Sequence, residues 1–271
     1  MDNKNITVQI IPKEITQGDA VLVRVSCYDP LRSIQGEWQG KKLSFYGEKN
    51  GAVFSLLIGN DLDEAPGKKT IMLNITGPKG NTYKLPVTFT VSKKDFPMQH
   101  LTLPSRMVFL SPKNLARVNN EKAAVDRLWE MSAMEKKWKR AFIMPVRGTV
   151  LSPFGVRRFI NNAPRSPHSG IDLRAKAGTP VLASSDGTVV MTSELFFAGK
   201  AVFLDHGMGI ITMYFHLSEV HVKEGEKMAQ GQILGRVGQT GRASGPHLHW
   251  GVRIHGNRID PLSLVRVFKE E

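Results

Sequence analysis

One cysteine in 271 residues, Cys27, excludes any disulfide within the chain. Its setting in VRVSCYDP reads as a small strand residue, because a reactive thiol needs a basic, accessible surrounding. No apolar run reaches the roughly 20 residues that a membrane-crossing helix requires. The opening stretch, MDNKNITVQI, lacks the basic-then-apolar order of a secretory signal. A cytoplasmic protein and a chain whose signal has already been removed both fit that start. Also missing are a basic arm and an aromatic–basic stripe of the kind that nucleic-acid binders carry. The net charge is +13 and the pI near 9.9, but the basic residues are spread along the chain. We read them as a general attraction to an anionic surface such as a cell wall, with no nucleic acid as partner.

What is present is the composition of an ordinary globular protein, 41% hydrophobic and 23% charged. The length allows two domains, each with its own core. Residues 1–93 read as all-β: ITVQIIP, AVLVRVSCY, AVFSLLI, KTIMLNITG and KLPVTFTVS are β-branched or alternating runs separated by the turn signals TQGD, GEKNG, DEAPGKK and GPKGN. The pattern predicts an immunoglobulin-like β-sandwich with an accessory role. Residues 94–142 form a connector. It is extended and Pro-punctuated through DFPMQHLTLPSRMVFLSP, then helical through KNLARVNNEKAAVDRLWEMSAMEKKWKRA, where Leu115, Val118, Val125, Leu128 and Met131 fall near a 3.6-residue period. Trp129 and Trp138 there read as core. Residues 143–271 return to short strands with many glycines, predicting a compact antiparallel β domain. Its PVLASSDGTVV and GEKMAQGQILGRVG stretches echo barrel-sandwich carrier domains. Lys227 has methionine on one side only, with Glu226 on the other, and so lacks the paired methionines of a modified carrier lysine; a carrier role is set aside.

Five residues carry the chemistry: His168 and Asp172 in PHSGID, His216 in MYFHLS, and His247 and His249 in GPHLHWGV. Two imidazoles and a carboxylate make the open three-ligand shell of a catalytic zinc. In a strand, His247 and His249 share one face about 6.6 Å apart, so one can reach a metal with the other beside it. Leu248 then points into the opposite layer. Pro167 and Gly170 argue against a helix for the HxxxD pair. We expect His168 at the end of a loop, a bend supplied by Gly170, and Asp172 in the strand that follows. His100, His206, His221 and His255 read as structural, His206 as a turn residue near the site.

Together PHSGIDL, DHGMGIITMYFHLS, VKEGEKMAQGQILGRVGQTGRASGPHLHWGV and the terminal IDP resemble the catalytic domain of lysostaphin/LytM-type zinc metallopeptidases, which cut peptidoglycan cross-bridges. The resemblance spans about residues 143–265 in order. It implies one Zn2+ held by His168, Asp172 and His249, with His216 and His247 as catalytic, non-ligand histidines. It also implies a substrate asparagine upstream of HxxxD, matched by Asn161 or Asn162. Arg158 and Tyr214 are further candidates to touch substrate.

The implied reaction is zinc-dependent cleavage of peptidoglycan stem-peptide cross-links by attack of a metal-bound water. The zinc lowers the water pKa and polarises the carbonyl. With no HExxH glutamate, either His216 or His247 can take the water proton or hydrogen-bond the oxyanion; we favour His247 for the base or water-orienting role and His216 for the oxyanion. That substrate implies an extracytoplasmic, periplasmic location; the sequence leaves the oligomeric state open, and a monomer is favoured. The alternative is a non-catalytic LytM-like wall-binding regulator of other hydrolases. Such regulators have lost metal ligands, whereas all five residues are present here.

Overall fold

The structure, a computed structural model, describes residues 6–48, 51–102 and 110–269. It is mainly β. Near the N-terminus one sheet holds β1 (Ile6–Ile11), β3 (Ala20–Cys27), β7 (Val53–Gly59) and β6 (Tyr46–Glu48) in that order. A second holds β2 (Ile15–Thr16), β9 (Thr82–Ser92), β8 (Gly67–Thr76), β4 (Ser33–Trp38) and β5 (Lys41–Ser44). Between them Val21, Val23, Val25, Leu56 and Ile58 pack against Ile34, Trp38, Ile71, Leu73 and Phe89. Cys27 is buried at the end of β3, as its sequence setting suggested, and burial pushes its thiol pKa up.

The other face of the β3–β7 pair is buried as well. Ala20, Leu22 and Leu57 belong to one continuous core with Trp138, Phe142, Ile259 and Leu264. The sandwich thus has the expected core of its own between its sheets and, beyond that expectation, shares a second one with the rest of the chain. The physical reason lies in close approach: a Cβ added at Gly59 would sit 2.5 Å from Ile259 Cδ1. Charge pairs ring the junction, with Arg157 Nη1 2.7 Å from Asp63, Arg266 Nη2 3.0 Å from Asp19, and Arg258 bonded to Asp61.

The connector departs from its predicted helix. Helix α1 spans Pro112–Leu128, with Ser111 Oγ accepting from Asn114 N and proline at its first turn. Leu115 and Met131, read as parts of an apolar stripe, are exposed, and of that stripe Leu128 alone is fully buried. Residues 129–141 are not helical. Their backbone bonds to the neighbouring segment 206–208 instead: Lys137 N donates to His206 O and Met208 N to Ala133 O. Trp138 is buried in the shared core as expected, while Trp129 is half-buried. Residues 103–109 of the predicted extended stretch lie outside the described residues.

The remaining chain forms a ten-stranded antiparallel sheet. Its path runs β11 (Val150–Ser152), β14 (Gly170–Arg174), β21 (His247–Ile254), β18 (Ile210–Val220), β17 (Gly199–Gly207), β16 (Gly187–Leu195) and β19 (Lys227–Met228). Off this path, β15 (Pro180–Leu182) pairs with β20 (Ile233–Val237), β20 also with β18, and β22 (Asn257–Ile259) with β21. A small sheet of β10 (Met98–Leu101), β12 (Arg157–Ile160) and β13 (Ala163–Pro164) lies at the start of this region, and helix α2 (Pro261–Val267) closes the fold.

Candidate metal centre

Three adjacent strands set the site in one row. Antiparallel register places Asp172 of β14 directly opposite His249 of β21, and His249 opposite Phe215 of β18. Direct partners share a face, so carboxylate, imidazole and phenyl ring line up, and Phe215 stacks on His249 with centroids 5.3 Å apart. His168 enters from the loop before β14, as the sequence predicted. Gly170 matters for another reason than the expected bend: a Cβ there would lie 2.4 Å from Trp250 O and 2.7 Å from His249 Nε2. Only a residue without a side chain lets β14 pass so close to the histidine.

The three atoms His168 Nε2, Asp172 Oδ1 and His249 Nδ1 form a triangle with edges of 3.0, 2.9 and 3.0 Å. His168 Nδ1 is 2.8 Å from Pro153 O; since a carbonyl can only accept, Nδ1 carries the proton and Nε2 offers a lone pair. Burial pushes His249 down to about 4, which keeps it neutral. Burial alone would raise the Asp172 carboxyl, but the neighbouring His168 and His249 imidazoles hold it well below the usual range. At neutral pH the triangle therefore gathers acceptors around one point, a donor set that suits a cation. Edges near 3 Å can be spanned by one ion with bonds of about 2.0–2.1 Å. Among the described residues this is the one such His/Cys/Asp/Glu group.

The two other histidines sit beside it. His247 Nδ1 donates to Gly245 O at 2.8 Å, leaving Nε2 3.8 Å from Asp172 Oδ1. His216 Nδ1 donates to Thr240 O at 2.8 Å, and its ring centre is 4.7 Å from that of His247. His216 arrives by a β-bulge: between Tyr214 and Leu217 two residues oppose the single Ala201 of β17. His216 takes φ +63°, a conformation that a non-glycine residue adopts at some energetic cost. The bulge turns its side chain onto the face that carries the triangle. Burial lowers its pKa, partly opposed by the Thr240 carbonyl.

The sequence candidates outside these five fare differently. Tyr214 does not reach the site, which corrects its reading as a substrate contact. It is fully buried, and its hydroxyl lies 2.9 Å from Ser184 N, 2.7 Å from Ser184 Oγ and 2.9 Å from Thr212 Oγ1. His206 is no turn residue but a fully buried member of β17, between Asp186 O and Thr212 Oγ1. Asn161 and Asn162 are exposed at the tip of the β12–β13 hairpin with φ of +50° and +63°, the turn conformation that favours asparagine. Arg158, half-buried, lies on β12 of that hairpin. Sequence reasoning missed Phe215, Thr240 and the carbonyl of Pro153, which hold the histidines through a ring face and backbone oxygens. A carbonyl leaves no mark in residue identity.

Residues 166–261 match the model of peptidase family M23. The crystal structure of an M23 protein from Pseudomonas aeruginosa superimposes with a TM-score of 0.73 at 30% identity, covering 94% of this chain and 96% of that one. The chain belongs to peptidase family M23. The LytM-type resemblance read from the motifs is thereby borne out, as is the mainly β fold; this metallopeptidase family implies a metal, and the His168–Asp172–His249 cluster could hold one. Among curated M23 relatives, the chain is 36% identical over 140 residues to the peptidoglycan DD-endopeptidase ShyA of Vibrio cholerae serotype O1, covering 51% of this chain and 30% of ShyA. It is 41% identical over 115 residues to the DD-carboxypeptidase/endopeptidase Mpg of Neisseria meningitidis serogroup B, covering 42% and 26% respectively. The chain thus spans about a third or less of the length of these relatives.

Proposed function

We propose that this chain is a zinc-dependent endopeptidase that cleaves stem-peptide cross-links of peptidoglycan outside the cytoplasm, in the periplasm. The observation that carries the reading is the acceptor triangle of His168, Asp172 and His249 with two further imidazoles alongside. The names of the relatives support the substrate class. A zinc ion bound there would acidify water and polarise the scissile carbonyl.

The chain's own groups do the rest. His168 and His249 hold fixed orientations, one by the Pro153 carbonyl and the other by Phe215 and Asp172. Both non-ligand histidines donate through Nδ1 to backbone carbonyls, so in the neutral state each presents Nε2 as a bare acceptor. We assign His247, nearest the triangle through Asp172, to take the proton of the attacking water. It can pass that proton to the departing amine. His216 faces the developing oxyanion, to which its imidazolium form, protonated at Nε2 from solvent, donates. A non-catalytic regulator is the weaker reading, because no ligand of the set is lost.

We read the N-terminal sandwich as an immunoglobulin-type accessory domain of residues 1–93. Its order β1-β3-β7-β6 against β2-β9-β8-β4-β5 supports that reading. Residues 94–142 then serve as connector and 143–271 as peptidase domain. Digestion of purified sacculi with zinc-loaded protein, followed by mass spectrometry of the muropeptides, tests the function. Loss of cross-linked dimers with gain of monomers is expected; dimers left intact would contradict it.

A further inference from the structure

Alternate side chains of β12 face opposite ways. Arg157 turns toward the sandwich, with Nη1 2.7 Å from Asp63 and its guanidinium 5.3 Å from the Phe96 ring centre. Arg158 therefore turns the other way. Arg165 N donates to Arg158 O at 2.8 Å across the hairpin, which makes the two arginines cross-strand neighbours on one face. The root of this hairpin is tied to the metal centre: His168 N donates to Val156 O at 3.0 Å and Gly155 N to His168 O at 2.8 Å. Arg165 precedes His168 by three residues, so even extended chain keeps it within about 10 Å of that ligand.

A third arginine comes from the loop between β20 and β21. There Thr240 O holds His216 and Gly245 O holds His247. Arg242 lies between those two anchors, with its guanidinium 4.1 Å from the Phe197 ring centre. Burial, and after it the charges of Arg158 and Arg165, lower the Arg242 pKa, so the three cations feel one another. Arg158 Nε is buried without a hydrogen-bond partner, and among the described residues no carboxylate pairs with any of the three. Like charges facing each other are destabilising, and guanidinium forks match carboxylates in bidentate geometry.

We propose that Arg158, Arg165 and Arg242 form a carboxylate-binding subsite beside the metal centre, so that a free carboxylate close to the scissile bond is required for tight peptide binding. The proposal rests on the peptidase reading and narrows its substrates to anionic peptides. The test is equilibrium binding to the chelator-treated 271-residue chain, using the tetrapeptide L-Ala-γ-D-Glu-meso-diaminopimelate-D-Ala as free acid and in fully amidated form. The free acid is expected to bind about tenfold or more tighter. In the double variant Arg158→Gln/Arg242→Gln the preference falls to near one. Arg157→Gln, on the opposite face of the same hairpin, retains it. Equal binding of acid and amide by the wild type, or a preference unchanged in the double variant, would overturn the proposal. The readout needs no turnover: selective binding without cleavage would count against the peptidase function while sustaining the subsite.

Discussion

The sandwich and the metal-bearing sheet are both β structure packed around a core, yet they bury different things. Between its sheets the sandwich packs valine, isoleucine and leucine with Trp38 and Phe89, and residues 1–93 contain no histidine. The metal-bearing sheet encloses His168, His206, His216 and His249 with Asp205 and Thr212. Polar groups of that kind are expensive to bury unless paired. The first region gains stability from apolar area, and the second gives up some of that gain to hold acceptors around one point. The bulge that turns His216 onto the site, at φ +63°, lies in β18 of the metal-bearing sheet.

The largest effect should come from breaking the triangle. His249→Ala is expected to reduce cleavage of cross-linked muropeptides to background while circular dichroism stays that of the wild type. Next come the neighbours. His247→Ala should keep the metal and lose about 10²–10⁴-fold in turnover, the usual worth of a general base. Turnover within a few-fold of wild type would remove His247 from the mechanism.

A sandwich substitution sharpens the contrast. Leu73→Ala, in a fully buried position, should cost about 2–5 kcal/mol of stability, measured by chemical denaturation. Metal content and turnover per folded molecule should not change. A loss of metal in Leu73→Ala would show that the sandwich shapes the site as well as supporting the fold.

The smallest effect concerns acid. Burial holds His206 and His249 down to about 4 in the folded chain, against about 6.5 when unfolded. As pH falls below about 6.5 the unfolded chain binds protons first, so stability present above that pH is lost progressively toward about 4. The Tm of metal-free protein should fall through this window, and His206→Gln should flatten the fall. A Tm constant from pH 7 to 4.5 would contradict the buried-neutral assignment.

Much of the site could be read from PHSGID and HLHWGV, because site residues on one strand face, such as His247 and His249, keep a period of two. Tyr214 and His216 were harder. In ITMYFHLS both faces of β18 are buried, so alternation carries no signal, and the bulge at Phe215–His216 shifts the period by one. Arg242 gave no mark among the glycines of GQTGRASG. In the connector, MEKKWKR has good helix formers, but tertiary contacts prevailed: Trp138 is drawn into the shared core and Lys137 N bonds to His206 O. The runs AVLV and SLLI did carry a usable sign, since a strand apolar at successive positions needs cover on both faces.

The central claim is that three side chains gathered from two strands and a loop hold one ion. Elemental analysis of purified wild-type protein beside Asp172→Ala tests it most directly. The account predicts one zinc per chain in the wild type and none in the variant; a wild type without metal after zinc loading, or a variant that retains it, would contradict it.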